Sequence, residues 1–124
     1  MDPRFVTKNI HAILDYPVAA LLLTAPFILG LGDSTPLARW LSVAVGAAAL
    51  LLTIFTNHKL GLIRVLPYPF HVAVDAMVGL VFLAAPFILN FSGLDAWYYW
   101  ANGAAVITVV SLSKPEKQLV ALPA

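Results

Sequence analysis

Residues 11–29 read HAILDYPVAALLLTAPFIL, and residues 71–89 read HVAVDAMVGLVFLAAPFIL. His11, Asp15 and the run Ala25-Pro26-Phe27-Ile28-Leu29 return sixty positions later as His71, Asp75 and Ala85-Pro86-Phe87-Ile88-Leu89. Arg4 and Arg64, Val18 and Val78, and Leu23 and Leu83 are also in step. A unit present twice separates what its fold requires from what is incidental. Here the unit carries His-x3-Asp at the head of an apolar stretch that closes on Ala-Pro-Phe.

Working outward, the rest of the chain has the same apolar character. Of its 124 residues, 61% are hydrophobic and 10% charged, and the mean hydropathy is +0.91. Soluble domains are about 45–50% apolar and about 25% charged, so the composition is that of a membrane protein. A net charge of +1 gives no reason to expect nucleic acid. The absence of cysteine excludes disulfides, thiolate metal sites and a lipid anchor on Cys.

Four apolar stretches, 10–31, 37–56, 70–91 and 95–113, each approach the ~20 residues that cross a ~30 Å hydrocarbon layer. Gly30 to Pro36 and Asn90 to Gly93 are turn sequences. Pro67 and Pro69 prevent a helix from running through the central connector. The expected organisation is a cytoplasmic segment 1–9, a two-span repeat 10–56, a connector 57–69, a second two-span repeat 70–113 and a tail 114–124. Arg4 and Lys8 ahead of an apolar run also fit a signal peptide. The recurrence of that run in mid-chain instead favours a retained span.

Basic residues set the orientation. Arg4, Lys8, Lys59, Arg64, Lys114 and Lys117 flank one side of the spans, and only Arg39 flanks the other. The positive-inside rule puts both termini and the connector in the cytoplasm. Trp40, Trp97, Tyr98, Tyr99 and Trp100 then form an outer aromatic belt, with Tyr16 and Tyr68 near the inner interface. The expected fold is all-α: four transmembrane helices in two tandem parallel hairpins, related by a pseudo-two-fold axis along the membrane normal. Small residues are expected to pack the bundle, with Ala44, Ala48 and Gly46 on span two and Ala101, Ala105 and Gly103 on span four. These align at an offset of 57, which pairs Trp40 with Trp97. An offset of 60 pairs Trp40 with Trp100, and the sequence leaves this choice open.

The pattern His-x2-Leu-Asp-Tyr, an apolar run, a small-residue–Pro–aromatic triplet and the connector Thr56-Asn57-His58-Lys59-Leu60-Gly61-Leu62-Ile63-Arg64-Val65-Leu66-Pro67 resembles the SPW-repeat membrane proteins over residues 10 to 113. That family is named for Ser-Pro-Trp. Both copies here read Ala-Pro-Phe, without the hydroxyl and the indole N–H. The resemblance implies a small bacterial inner-membrane protein of two repeats, and it carries no established activity, substrate or cofactor.

Pro26 and Pro86 each remove a backbone donor and crowd the carbonyl four residues earlier, which predicts a kink or a helix end near the outer surface. A moving hinge is the alternative. His11 with Asp15, and His71 with Asp75, are the ionisable pairs within the spans; four residues apart, they share a helix face. Intramembrane ionisable groups suggest function. These lie only about a turn inside the cytoplasmic end, where water and headgroups reach them, which favours anchoring of the helix bundle.

Two alternatives stay open: imidazoles on facing helices ligating haem or a pigment metal, and an Asp–His chain relaying protons or handling a small solute. No cofactor is expected first, haem is the runner-up, and no metal site is assigned. Arg4 and Arg64 are expected at phospholipid headgroups, and His58 is expected to be a solvated interfacial residue. No nucleophile stands beside a base and there is no phosphate loop; the one Glu, Glu116, is in the tail, so an enzyme is not expected. The expected partners are the bilayer and either a larger membrane protein or a second copy of the chain.

Overall fold

The computed structural model describes residues 4–57 and 60–114. His58, Lys117 and the tail beyond residue 114 lie outside them. The chain forms four α-helices: α1 (Lys8–Ile28), α2 (Leu37–Phe55), α3 (Tyr68–Ile88) and α4 (Gly93–Leu112). Three of them, α1, α2 and α3, are long and apolar enough to cross a membrane, and the chain is a multi-pass membrane protein. The apolar content of α4 is diluted in its first half by Asp95, Tyr98, Tyr99 and Asn102.

Local chemistry fixes where the helices start and stop. Thr7 caps α1, its hydroxyl oxygen accepting from the Ile10 N–H at 3.1 Å, which satisfies one of the orphan donors of a first turn. The two repeat prolines end their helices. Pro26 and Pro86 stand in the last turns of α1 and α3, and the chain then reverses through a left-handed residue, Gly30 (φ +66°) or Asn90 (φ +60°). Leu31 N–H donates to the Pro26 carbonyl at 2.9 Å, and Phe91 N–H to the Pro86 carbonyl at 3.1 Å. This is the 6→1 bond of a Schellman motif, in which glycine or asparagine supplies the positive φ. The Leu22 carbonyl, four residues before Pro26, receives the Ser42 hydroxyl of α2 at 2.9 Å. A donor from the neighbouring helix thus replaces the N–H that proline lacks. Pro17 is a further proline inside α1, at a position occupied by Met77 in the second repeat.

Helix α1 packs chiefly on α2, and α3 on α4. Glycine makes these approaches close. A Cβ on Gly46 would sit 3.0 Å from the Leu23 backbone nitrogen, and one on Gly103 would sit 3.0 Å from the Leu83 nitrogen and from the Gly79 carbonyl oxygen. The matching contacts of Gly46 and Gly103 choose the offset of 57 for α2 and α4. The rings depart from that register: Phe27 meets Trp40, whereas Phe87 meets Trp100. Ala44, Ala48, Ala101 and Ala105 are exposed, Ala48 and Ala105 of them to a cavity between the helices, so the expectation that they pack the helices is corrected; Gly46 and Gly103 make the close backbone approaches. Gly103→Ala is expected to destabilise the protein by about 1–3 kcal/mol, because its new methyl meets backbone. Gly79→Ala should cost less, since its Cβ meets the flexible end of Ile107. Thermal melts of the two variants in detergent check that order.

The core lies toward the end of the bundle that carries the α1–α2 and α3–α4 turns, where Leu22, Ala25, Leu31 and Ala38 meet Phe82, Ala85, Phe91 and Tyr99. Tyr98 and Tyr99 are buried there, 6% and 0% exposed, which corrects their assignment to an aromatic belt. Tyr99 donates to the Ala38 carbonyl at 2.7 Å, and Tyr98 shares a 2.7 Å hydrogen bond with Ser42. A phenol avoids the lipid face when a partner inside the bundle takes its O–H. Trp40 and Trp97 are exposed as expected. Tyr68 is buried beside His11, and Tyr16 donates to the Leu60 carbonyl at 2.6 Å.

At the other end, the connector folds back onto the last turn of α2. Leu62 and Ile63 N–H groups reach the Ile54 carbonyl, and Val65 and Leu66 reach that of Phe55. Its side chains Leu62, Ile63 and Val65 stay exposed. The segment before α1 does the corresponding thing at the end of α4: Val6 N–H donates to Leu112 O at 3.0 Å, and Lys114 N–H to Val6 O at 2.8 Å.

Candidate functional site

His11 and Asp15 occupy consecutive turns of one face of α1, and His71 and Asp75 do so on α3. These faces meet, and the four side chains form one cluster. His11 Nε2 is 3.2 Å from Asp15 Oδ1 on its own helix and 2.8 Å from Asp75 Oδ2 across the interface. His71 Nε2 is 3.2 Å from Asp75 Oδ2 and 3.1 Å from Asp15 Oδ2. Each imidazole therefore touches both carboxylates. Two i,i+4 pairs legible in sequence have become a crossed tetrad that joins α1 to α3. Both imidazoles are buried, while the Asp15 and Asp75 side chains keep 12% and 19% exposure.

The far nitrogen of each ring is held by a hydroxyl at the end of a neighbouring helix. Thr56, after α2, donates to the Leu52 carbonyl, so its oxygen is left to accept from His71 Nδ1–H at 2.7 Å. Ser113, after α4, donates to the Val109 carbonyl at 2.6 Å and accepts from His11 Nδ1–H at 3.0 Å. A hydroxyl has one proton to give, and these two are committed to carbonyls; the hydrogen-bond network thereby assigns the proton to Nδ1 and aims Nε2 at the carboxylates. Thr56 and Ser113 were not singled out from sequence. Their signal was faint: a hydroxyl at each of two helix ends, 57 residues apart.

Above the tetrad, toward the middle of the bundle, is a cavity of about 210 Å³. Its walls are apolar, with Val18, Val45, Val78 and Val106 from the four helices, and the tetrad lines one end. Asp75 Oδ2 lies within hydrogen-bond reach of both Nε2 atoms, and the imidazole rings meet edge to face at 5.5 Å. A haem bound by both imidazoles would need the space beside their Nε2 atoms that Asp75 Oδ2 fills.

A second polar cluster, missed in the sequence, closes the opposite end of the bundle, at the α1–α2 turn. Asp95, in the first turn of α4, is 2% exposed. Its carboxylate accepts from Gly32 N–H at 2.9 Å, from Ser34 N–H at 3.0 Å and from the Ser34 hydroxyl. It binds the α1–α2 turn to α4. The available signal was an acidic residue in a first helical turn and a Gly-Asp-Ser-Thr turn with free backbone donors. Arg39 donates from Nε to the Leu31 carbonyl at 3.1 Å, which steadies the same turn. Of the remaining sequence candidates, Arg64 donates from Nε to the Gly61 carbonyl at 3.1 Å. Arg4 is exposed ahead of α1.

Fold and site together define a small helical membrane protein with a buried His–Asp cluster where its helices converge. The SPW repeat domain matches residues 9–113, and the chain belongs to that family. No curated protein and no solved structure matches it.

Proposed function

We propose that this chain is a non-enzymatic structural or partner subunit of the bacterial inner membrane, built of two tandem hairpins that are clasped at both ends. The tetrad carries this reading, because each of its imidazoles is divided between a carboxylate of α1 and one of α3. Opposite charges brought together in a medium of low dielectric hold helices in one register. The Asp95 cluster is the matching clasp at the outer end. Equivalent pairings, Val6 with the end of α4 and Leu66 with the end of α2, support a pseudo-two-fold axis along the membrane normal. In this arrangement α4 is the fourth span, its Asp95, Tyr98 and Tyr99 turned into the bundle. The exposed Ala44 and Ala101, which lie outside the cavity lining, leave small-residue positions on α2 and α4 for a neighbouring helix.

Asp15→Ala and Asp75→Ala should reduce the amount of folded protein in the membrane; full retention of fold and stability would overturn the clasp. Orientation has an independent test, since the chain lacks cysteine. Asp33→Cys is expected to react with a membrane-impermeant maleimide in intact cells, and Asn57→Cys only after the cells are opened. The reverse pattern would refute cytoplasmic termini.

A further inference from the structure

We infer that His11, Asp15, His71 and Asp75 form a binding site for one divalent transition-metal cation of the Zn²⁺ class. The inference goes beyond the clasp but rests on the same tetrad.

Each of the four residues offers one ligand atom, and these atoms lie within 4.8 Å of one another. A tetrahedral cation with bonds of about 2.0–2.1 Å needs its ligand atoms about 3.4 Å apart. The closest imidazole–carboxylate pairs, at 2.8–3.2 Å, are slightly tighter than that. Closing on a cation is therefore a matter of side-chain torsions. Two imidazole nitrogens and two carboxylate oxygens are a donor set that suits Zn²⁺ and its neighbours, and two carboxylates cancel the charge of one divalent ion.

Two further observations favour a cation over a simple ion-pair cluster. Both rings have Nδ1–H fixed by a hydroxyl, Thr56 or Ser113, that is itself anchored to a helix carbonyl. That is the outer support that metal-bound histidines have; on binding a cation each Nε2 would release to solvent the proton it shares with a carboxylate and present its lone pair to the ion. In addition, Asp15 Oδ2 is buried and makes no aligned hydrogen bond, although His71 Nε2 is only 3.1 Å away. That contact is an ion pair without an aligned hydrogen bond, and a shared cation would satisfy both atoms directly. Both aspartates are partly exposed and line the cavity between the helices, which gives a cation room to reach them. Four protein ligands fill a tetrahedral shell, so the ion would be structural, with no position left for a reacting water.

The test uses the full chain, purified in detergent, stripped with a chelator and titrated with Co²⁺ as a spectroscopic probe. The expected result is a visible d–d band of tetrahedral Co²⁺ that saturates at one equivalent per chain. Zn²⁺ should abolish the band, and either metal should raise the melting temperature. The pair Thr56→Val with Ser113→Ala removes only the outer hydroxyls, and it should weaken Co²⁺ binding about 10–100-fold while helicity persists. If the stripped chain loses its fold, recovery on adding one equivalent of Zn²⁺ supports the site, and failure to recover overturns it. Stripped, folded protein that gives neither band nor bound metal overturns it, as does undiminished binding in Asp75→Asn. A tetrad that binds Co²⁺ although Asp15→Ala folds normally would retain the metal site and discard the clasp. Loss of fold in Asp15→Ala without metal binding in the wild type would do the opposite.

Discussion

Asp75→Ala is expected to destabilise the protein by about 3–5 kcal/mol, the usual consequence of removing one partner from a buried ion pair. A single oxygen, Asp75 Oδ2, meets both imidazoles, at 2.8 and 3.2 Å. Its loss leaves His11 without its partner across the helix interface. Asp15→Ala should behave similarly, since each Asp15 oxygen faces one of the two imidazoles. The double variant should lose less than the sum, because groups in one network do not contribute independently. Replacing all four residues by apolar ones of similar volume is expected to cost far less than either single change, because no uncompensated charge is then left in the bundle. Denaturation in detergent, followed by circular dichroism, checks the order. A quadruple replacement as damaging as Asp75→Ala would contradict this electrostatic account.

The other large effect is expected at the Asp95 cluster. Asp95→Ala leaves the Gly32 N–H, the Ser34 N–H and the Ser34 hydroxyl without their acceptor. Hydrogen bonds to a charged acceptor are each worth about 1.5–3 kcal/mol, and a buried orphaned donor costs about 1–3 kcal/mol. With water able to reach part of the turn, a net loss of about 2–4 kcal/mol follows. Ser34→Ala removes one donor of three and should cost about 1 kcal/mol. Amide exchange gives a local readout: in Asp95→Ala, the Gly32 and Ser34 amides should lose protection before the tetrad end of α1 does. Equal losses in the two variants would show that the carboxylate does not gather these donors as a group.

Much of the fold was legible because a membrane leaves few options for a backbone. A run of about 20 apolar residues must be helical to satisfy its own polar groups, and the four helices fall within a few residues of the stretches read from sequence. The repeated Pro followed by Gly30 or Asn90 also marked helix ends correctly, since the missing N–H and the left-handed residue act within one turn. The aromatic cluster was misread for a related reason. Trp97, Tyr98, Tyr99 and Trp100 are adjacent in sequence, but a helix turns about 100° per residue, so Trp97 points outward while Tyr98 and Tyr99 point into the core. Composition cannot say which.

The sequence by itself determined four apolar helices and placed His11 over Asp15 and His71 over Asp75, because a spacing of four sets side chains on one helix face whatever surrounds it. Only the tertiary structure decided that His11 reaches Asp75 and His71 reaches Asp15, that Thr56 and Ser113 stand behind the rings, and that Asp95 belongs to a turn some sixty residues away. Those pairings depend on how the helices pack and on where distant backbone donors end, and neither is encoded in local spacing.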